Sequence, residues 1–162
     1  MEITIKSVTL YSTILLTGLS AGLFYAWQVS VIPGTKLVQD STYIEAMQKI
    51  NKAIINPLFM LIFLGPLFMQ ILSVILYWNT AVPYWLILGA TVLYAAGTVI
   101  VTGLGNVPLN EALDTVGLND LSAGQISTER HGYEKRWNRL HAIRTVFAVL
   151  SFMVLLIAAF IA

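Results

Sequence analysis

Apolar and polar residues are sorted into long blocks along this chain. From residue 53 to residue 110 no side chain is charged and none is histidine. Further charge-free blocks cover residues 7–35 and 145–162. A hydrocarbon layer of about 30 Å takes roughly 20 apolar residues per crossing helix. The longest block therefore crosses twice, turning at Asn79-Thr80-Ala81-Val82-Pro83, where polar residues and a proline interrupt it. The pattern predicts four spans, about residues 8–32, 54–78, 84–105 and 141–162. The last continues a polar helix that begins near Ser127 or Thr128. The fold expected is all-α: one integral membrane domain over residues 1–162, a four-helix up-down bundle. A short amphipathic helix joins spans 1 and 2, and a polar segment joins spans 3 and 4.

Local signals refine these elements. Pro33-Gly34 is expected to end span 1, Asn56-Pro57 to open span 2 and Gly65-Pro66 to kink it. Thr42-Tyr43-Ile44-Glu45 reads as a capping box for the connecting helix. Glu45 and Lys49 are spaced to pair, and Met47, Ile50 and Ile54 share one face. That helix lies at the interface or folds back on the bundle. Asn106-Val107-Pro108-Leu109-Asn110 reads as a helix stop followed by a new N-cap and a short helix. A turn-rich patch follows around residues 117–124, and His131, beside Gly132, reads as solvated in a flexible stretch. In span 1, Gly18 and Gly22 form a GxxxG pattern, which permits close helix approach and a homo-oligomer.

Composition agrees with the membrane class: 57% of residues are hydrophobic and 10% charged, against about 25% charged in soluble domains. The apolar run at the N-terminal end exceeds the roughly 7–15 residues of a signal-peptide core and reads as a retained span. Without cysteine, disulfides and thiolate sites are excluded. No basic patch interleaved with aromatics points to nucleic acid. Eight of the nine Lys and Arg residues fall in the two connecting segments or beside them: Lys36, Lys49, Lys52, Arg130, Lys135, Arg136, Arg139 and Arg144; only Lys6 lies at the other end. The positive-inside rule then puts both connecting segments in the cytoplasm and both termini outside the cell's inner or plasma membrane. Tyr77, Trp78, Tyr84 and Trp85 read as an aromatic belt at the opposite interface.

The polar residues of the spans gather at one end of such a bundle. Tyr25, Trp27 and Gln28 close span 1; Asn51 and Asn56 precede span 2. Thr98, Thr102 and Asn106 descend span 3 in steps of four, followed by Asn110 and Glu111. Glu134, Asn138 and His141 open span 4. The other end offers nothing comparable. At about 100° per residue, Arg130, Glu134, Trp137, Asn138, His141, Arg144 and Thr145 share one broad face. Lys135, Arg136 and Arg139 lie opposite, above Ile143, Val146 and Leu150, as a lipid-directed face with basic groups at the phosphates. Each inward residue also has a plain structural alternative. His141 could bond a neighbouring helix, Arg144 reach headgroups and Glu134 only neutralise Arg130. Ionisable groups at such depth are costly and tend to be paired or functional.

Spacing argues against several chemistries. There is no Glu-x-x-His pair, no HExxH, no nucleophile elbow and no phosphate loop after Gly103-Leu104-Gly105. His131 and His141 stand about 280° apart on a continuous helix and share no face. No metal site and no cofactor is evident.

These motifs resemble the anthrone-oxygenase-like family of small four-span membrane proteins. The resemblance rests on Thr17 to Gly22, Pro33, Met47-Gln48-Lys49-Ile50-Asn51, Asn56-Pro57, Asn106-Val107-Pro108-Leu109-Asn110, and the run from Trp137 to Thr145 with its Trp-x3-His-x2-Arg core. It implies a membrane monooxygenase, often without an evident metal or flavin, that converts the activated methylene of a polycyclic phenol to a quinone. The hydrophobic small-molecule substrate would arrive from the bilayer. On that reading His141 is the base, with Glu134 and Arg144 beside it as catalytic candidates and Arg144 supplying positive charge. Asn106, Asn110 and Asn138 donate to the oxyanion. Trp137, Tyr25 and Trp27 stack on the rings, and Gln28, Asn51 and Asn56 complete the binding residues. Two alternatives stay open. The same pocket could hold a quinone, haem or lipid without reaction, or the polar end could only fix helix packing in an accessory protein.

Overall fold

The computed structural model describes residues 4–162. The three residues before them, and with them the N-terminus that the charge pattern places outside the cell, lie outside the described residues. The described chain is helical without strands. Its helices are α1 (Ile5–Thr35), α2 (Asp40–Ala53), α3 (Pro57–Leu76), α4 (Ala81–Asp114) and α5 (Ala123–Ile161). All but α2 are long and apolar enough to cross a membrane, and this is an integral membrane protein. At 1.5 Å per residue the 39 residues of α5 reach about 58 Å, nearly twice the hydrocarbon thickness. The helix is thus longer than one crossing needs, and its charge-free stretch from Thr145 to Ile161 is the part apolar enough to cross.

Helix starts follow local chemistry. Thr4 and Ser7 form a capping box for α1, and Ser122 and Gln125 one for α5. Asn56 caps α3, its Oδ1 accepting the Phe59 N–H at 3.0 Å, with Pro57 in the first turn, where no N–H is needed. The connecting helix begins earlier than its expected capping box. Asp40 is its first residue, and Thr42 is already inside it. His131 and Gly132 are interior residues of α5, not a flexible stretch.

Two prolines expected to break helices do not. The chain stays helical through Pro33 to Thr35 and through Asn106 and Pro108 to Asp114. Each proline stands in the first turn of α-helix directly after a π-helical stretch, Trp27–Val31 before Pro33 and Thr102–Asn106 before Pro108. A π turn bonds i→i+5, and its extra residue loosens the ladder where a proline ring would clash and its missing N–H would leave a gap. Asn106 is consequently a helix-interior residue with helical φ and ψ, not a cap.

Inter-helix contacts fix the topology. Thr13 meets Ser73 and Phe24 meets Phe63, so α1 and α3 run antiparallel. Ser151 bonds the Ala90 carbonyl, Thr98 that of Arg144 and Asn106 that of Trp137, so α4 and α5 do too. Ser20 meets Tyr94 across the bundle, with α1 and α4 parallel. This is the up-down arrangement expected. Gly97 makes the α4–α5 approach possible, since a Cβ there would lie 1.9 Å from Phe147 Cγ.

The interior is layered. Leu10, Tyr77, Ile87, Ala90, Leu155 and Ala158 form an apolar floor. Above it sits a polar layer the sequence reading overlooked. Gln70 Nε2 donates to Thr17 Oγ1 (3.1 Å) and Ser151 Oγ (3.3 Å), and Thr13 Oγ1 lies 2.9 Å from Ser73 Oγ. Ala21, Phe24, Phe63, Tyr94 and Ala148 follow.

The top is closed by α2. It folds back so that Tyr43, Ile44 and Met47 pack on Ile32, Leu113, Tyr133 and Trp137. Polar ties hold it down. Gln48 Nε2 donates to the Leu113 and Val116 carbonyls at the end of α4. Arg130 donates to the Thr35 and Val38 carbonyls and pairs with Asp40 (2.9 Å) and Glu134 (3.0 Å). A hydrogen bond from Ser127, with Arg130 beside it, holds the Asp40 carboxyl below its ordinary range. The Glu45–Lys49 pair forms as spaced, at 2.6 Å.

Candidate functional site

Tyr133, Trp137 and His141 follow one another at four-residue steps on α5, which stacks them on one helix face. The Trp137 and His141 rings lie parallel within 5°, centroids 5.0 Å apart, and Tyr133 stacks on Trp137 at 6.3 Å. Trp27 leans on Trp137 from α1, centroids 6.1 Å apart. The result is an aromatic wall between α1 and α5.

His141 is fully buried, and its partners determine where its proton sits. Nε2 lies 3.1 Å from the Phe24 carbonyl, which can only accept, so Nε2 carries the hydrogen. Nδ1 keeps the lone pair, and two N–H groups of Arg144 point at it, Nε at 3.1 Å and Nη2 at 2.9 Å. Arg144, 8% exposed, has its guanidinium carbon over the Phe24 ring (4.7 Å) and the Trp137 ring (5.2 Å). Its Nη1 reaches Thr102 Oγ1 at 3.4 Å. The described ion pairs are Lys49–Glu45, Lys52–Asp114, Arg130–Asp40 and Arg130–Glu134, and none gives Arg144 a carboxylate.

Asn110 is oriented just as firmly. Its Oδ1 accepts from Tyr133 Oη and Trp137 Nε1, each at 2.9 Å. Indole N–H is only a donor, so this amide atom is the oxygen, and the NH₂ group is the part left for other partners. Asn51 Nδ2 in turn donates to Tyr133 Oη at 3.2 Å.

Arg144, His141, Trp137, Trp27, Asn110 and Asn51 line a cavity of about 280 Å³, near the lower end of ligand pockets at ~300–1,000 Å³. Phe24, Phe59, Met60 and Phe63 supply apolar walls. At its rim, Lys52 of α2 pairs with Asp114 of α4 at 2.6 Å. Ile55, Met60 and Val107, also on the lining, are exposed toward the surface.

The remaining candidates lie off this cavity. Glu134 is held by Arg130. Asn106 is buried between α4 and α5, donating to the Trp137 carbonyl at 3.4 Å, with its Oδ1 unpartnered. Asn138 is half-buried. Gln28 is half-buried too, with an unpartnered buried Oε1. Tyr25 is 58% exposed on the outer face of α1. Asn56 is spent as the cap of α3. Lys135, Arg136 and Arg139 point outward, as the helical angle predicts. Two members went unseen in the sequence. Tyr133 shares the Trp137–His141 stripe and was visible by periodicity. Phe24 contributes a ring and a main-chain carbonyl, for which no residue pattern exists. Among the described residues no three His, Cys, Asp or Glu side chains gather as metal ligands.

Fold and site together define a membrane-embedded helical bundle with a donor-lined aromatic pocket under one face. Residues 47–154 match the anthrone oxygenase family, and the chain belongs to that family. The matched stretch holds Asn51, Asn110, Trp137, His141 and Arg144, while α1 with Phe24 and Trp27 precedes it. Comparison with curated proteins and with solved structures gives no match. The family makes this an oxygenase-like membrane protein.

Proposed function

We propose that the protein oxygenates a flat, hydrophobic anthrone- or quinol-type molecule by base-assisted reaction with dioxygen. The observation that carries this reading is Arg144, a buried guanidinium that pairs with no carboxylate among the described residues, beside an aromatic-walled cavity whose lining also includes Glu111 and the Lys52–Asp114 pair. Burying an unpaired charge costs several kcal/mol, so such a site favours a ligand that brings negative charge. A substrate carbonyl that becomes an enolate oxygen brings it at the moment of reaction, where stabilisation lowers the barrier.

The chemistry then runs as follows. The acidic C–H of the substrate breaks, its proton passes to His141 Nδ1 and the electron pair spreads to the oxygen facing Arg144 and the Asn110 NH₂ group. The carbanionic carbon bonds to dioxygen, and the peroxide so formed takes the proton back from His141 Nδ1. Loss of water from the hydroperoxide, by cleavage of the O–O bond and the second C–H bond, leaves a carbonyl and a neutral His141. One dioxygen converts one CH₂ to C=O and releases one water. Trp137 and Trp27 hold the rings by stacking. Glu134 acts at a distance, through Arg130 and the α1–α2 connection. Both connecting segments, and with them the pocket rim, face the cytoplasm, and the termini face outward.

Purified full-length protein in lipid nanodiscs, given anthrone, should consume one dioxygen per anthraquinone formed, above the rate with empty nanodiscs. Rates equal to that control would remove the oxygenase reading. A second reading draws on the same donors: Arg144 and Asn110 present only N–H groups, which also suit the carbonyl oxygens of a quinone held without turnover. Tight anthraquinone binding with no dioxygen uptake would select it. A haem finds less support, because the one lone pair of His141 is engaged by Arg144.

A further inference from the structure

We infer that Arg144 latches His141, and that the oxygen of the incoming ligand opens the latch. The inference rests on the reading above and adds an order of events. As arranged, His141 cannot act as a base. Its Nε2 hydrogen is directed at the Phe24 carbonyl, and its only lone pair receives two N–H groups of a cation. A proton arriving at Nδ1 would meet both a blocked orbital and a neighbouring positive charge.

Arg144, however, is held weakly elsewhere. Its contact with Thr102 Oγ1 is long at 3.4 Å, it pairs with no carboxylate among the described residues, and its guanidinium otherwise lies over the ring faces of Phe24 and Trp137. Both Arg144 and His141 line the cavity. A carbonyl oxygen that gains negative charge as its C–H proton leaves accepts a guanidinium more strongly than a neutral imidazole does, because opposite charges then attract in a site shielded from water. Such an oxygen enters neutral beside Arg144; as the C–H proton moves toward Nδ1 and the oxygen gains charge, Arg144 turns its N–H groups to the ligand in the same event. Nδ1 is then free in the same cavity, and the cation that opposed its protonation is neutralised by the ligand. His141 becomes competent only when a molecule with a correctly placed oxygen is present. A hydrocarbon of the same shape fills the pocket and leaves the base blocked. Arg144 is thereby a specificity-determining residue as well as an electrostatic one.

The chain has two histidines, which makes the latch directly observable. Full-length protein with ¹⁵N-labelled histidine is placed in nanodiscs under nitrogen, and the ring-nitrogen resonances are recorded by NMR. A His131→Asn variant assigns the exposed ring. Without ligand, His141 should show a protonated Nε2 and a hydrogen-bonded, unprotonated Nδ1. Added anthrone should move Nδ1 to the free or protonated position, while 9,10-dihydroanthracene, the same rings without oxygen, should leave it in place. Arg144→Met should show the free position with no ligand. Binding is followed separately by quenching of tryptophan fluorescence. Anthrone that binds without moving Nδ1 overturns the latch and leaves the functional reading standing. A shift caused equally by the hydrocarbon overturns the claim that oxygen opens it. Anthrone that does not bind removes the functional reading and the latch together.

Discussion

The layer around Gln70 and the chamber around Arg144 both bury polar groups inside the same helices, yet they differ in how those groups are satisfied. In the first, Thr13, Thr17, Ser73 and Ser151 are hydroxyls that bond backbone carbonyls or one another, and Gln70 Nε2 completes the set, with only its Oε1 left over. Nothing in it is charged. In the second, among the described residues, a cation meets an imidazole, a distant hydroxyl and two aromatic faces but no carboxylate, beside an open volume. Polar residues in a membrane span are therefore not in themselves a site. The mark of one is a charge left without its counter-charge next to space for a ligand. The first layer ties helices together by hydroxyl and amide bonds; in the second, Arg144 bonds His141 and Thr102 and pairs with no described carboxylate.

That contrast can be broken most severely at Arg144. Replacement by Met should lower anthrone turnover by ~10²–10³, the usual effect of losing an oxyanion donor, without lowering thermal stability in detergent, because the bonds lost to His141 and Thr102 are offset by removing a buried charge that has no carboxylate partner among the described residues. A clear loss of stability would mean that Arg144 is structural. Next comes Gly97→Ala. Its Cβ would sit inside the Phe147 ring position, so stability should fall by about 1–3 kcal/mol or more, and the Thr98–Arg144 contact next to it should be disturbed. Gly22→Ala, with nothing within 4 Å, is the control, and equal effects would contradict the packing.

A gentler probe is Gln70→Leu. It should cost about 1 kcal/mol, the scale of interhelical hydrogen bonds in membranes, with turnover per folded molecule unchanged. Lost turnover at full stability would make the two layers one functional unit. The smallest effect concerns acid. The Asp40 carboxyl is held below its ordinary value near 3.8. Its contribution to docking α2 is complete above that value and fades as pH falls through the lower folded value. Hydrogen exchange at α2 should rise in that acid window before exchange at α3 does, and in Asp40→Asn that early rise should disappear.

How much of this could be read beforehand depends on what each feature is made of. The spans were legible because absence of charge is a property of the string itself. The inward face of α5 was legible because an uninterrupted helix turns by a constant angle, and Arg130, Trp137, His141, Arg144 and Thr145 all point in as that angle requires. Reading failed where the helix departs from that constancy. The π turns before Pro33 and Pro108 leave no residue signature, so both prolines looked like stops, and Asn106 looked like a cap. It failed again where chemistry comes from backbone, as with the Phe24 carbonyl, and where weakly polar residues far apart in sequence assemble, as Thr13, Thr17, Gln70, Ser73 and Ser151 do. Tyr25 and Asn56 were credited to the pocket because they lie at the right depth. Depth does not give direction, and one faces outward while the other caps a helix.

The claim beneath all of this is that Arg144 awaits an oxygen on a hydrophobic ligand. It is tested most directly by measuring the affinity of nanodisc-embedded protein for anthrone against 9,10-dihydroanthracene, in the unsubstituted chain and in Arg144→Met. The account predicts at least about tenfold tighter binding of anthrone, a difference of ~1.4 kcal/mol, in the unsubstituted chain, and near-equal binding of the two in the variant. Equal affinities in the unsubstituted chain, or a preference that survives the substitution, would contradict it.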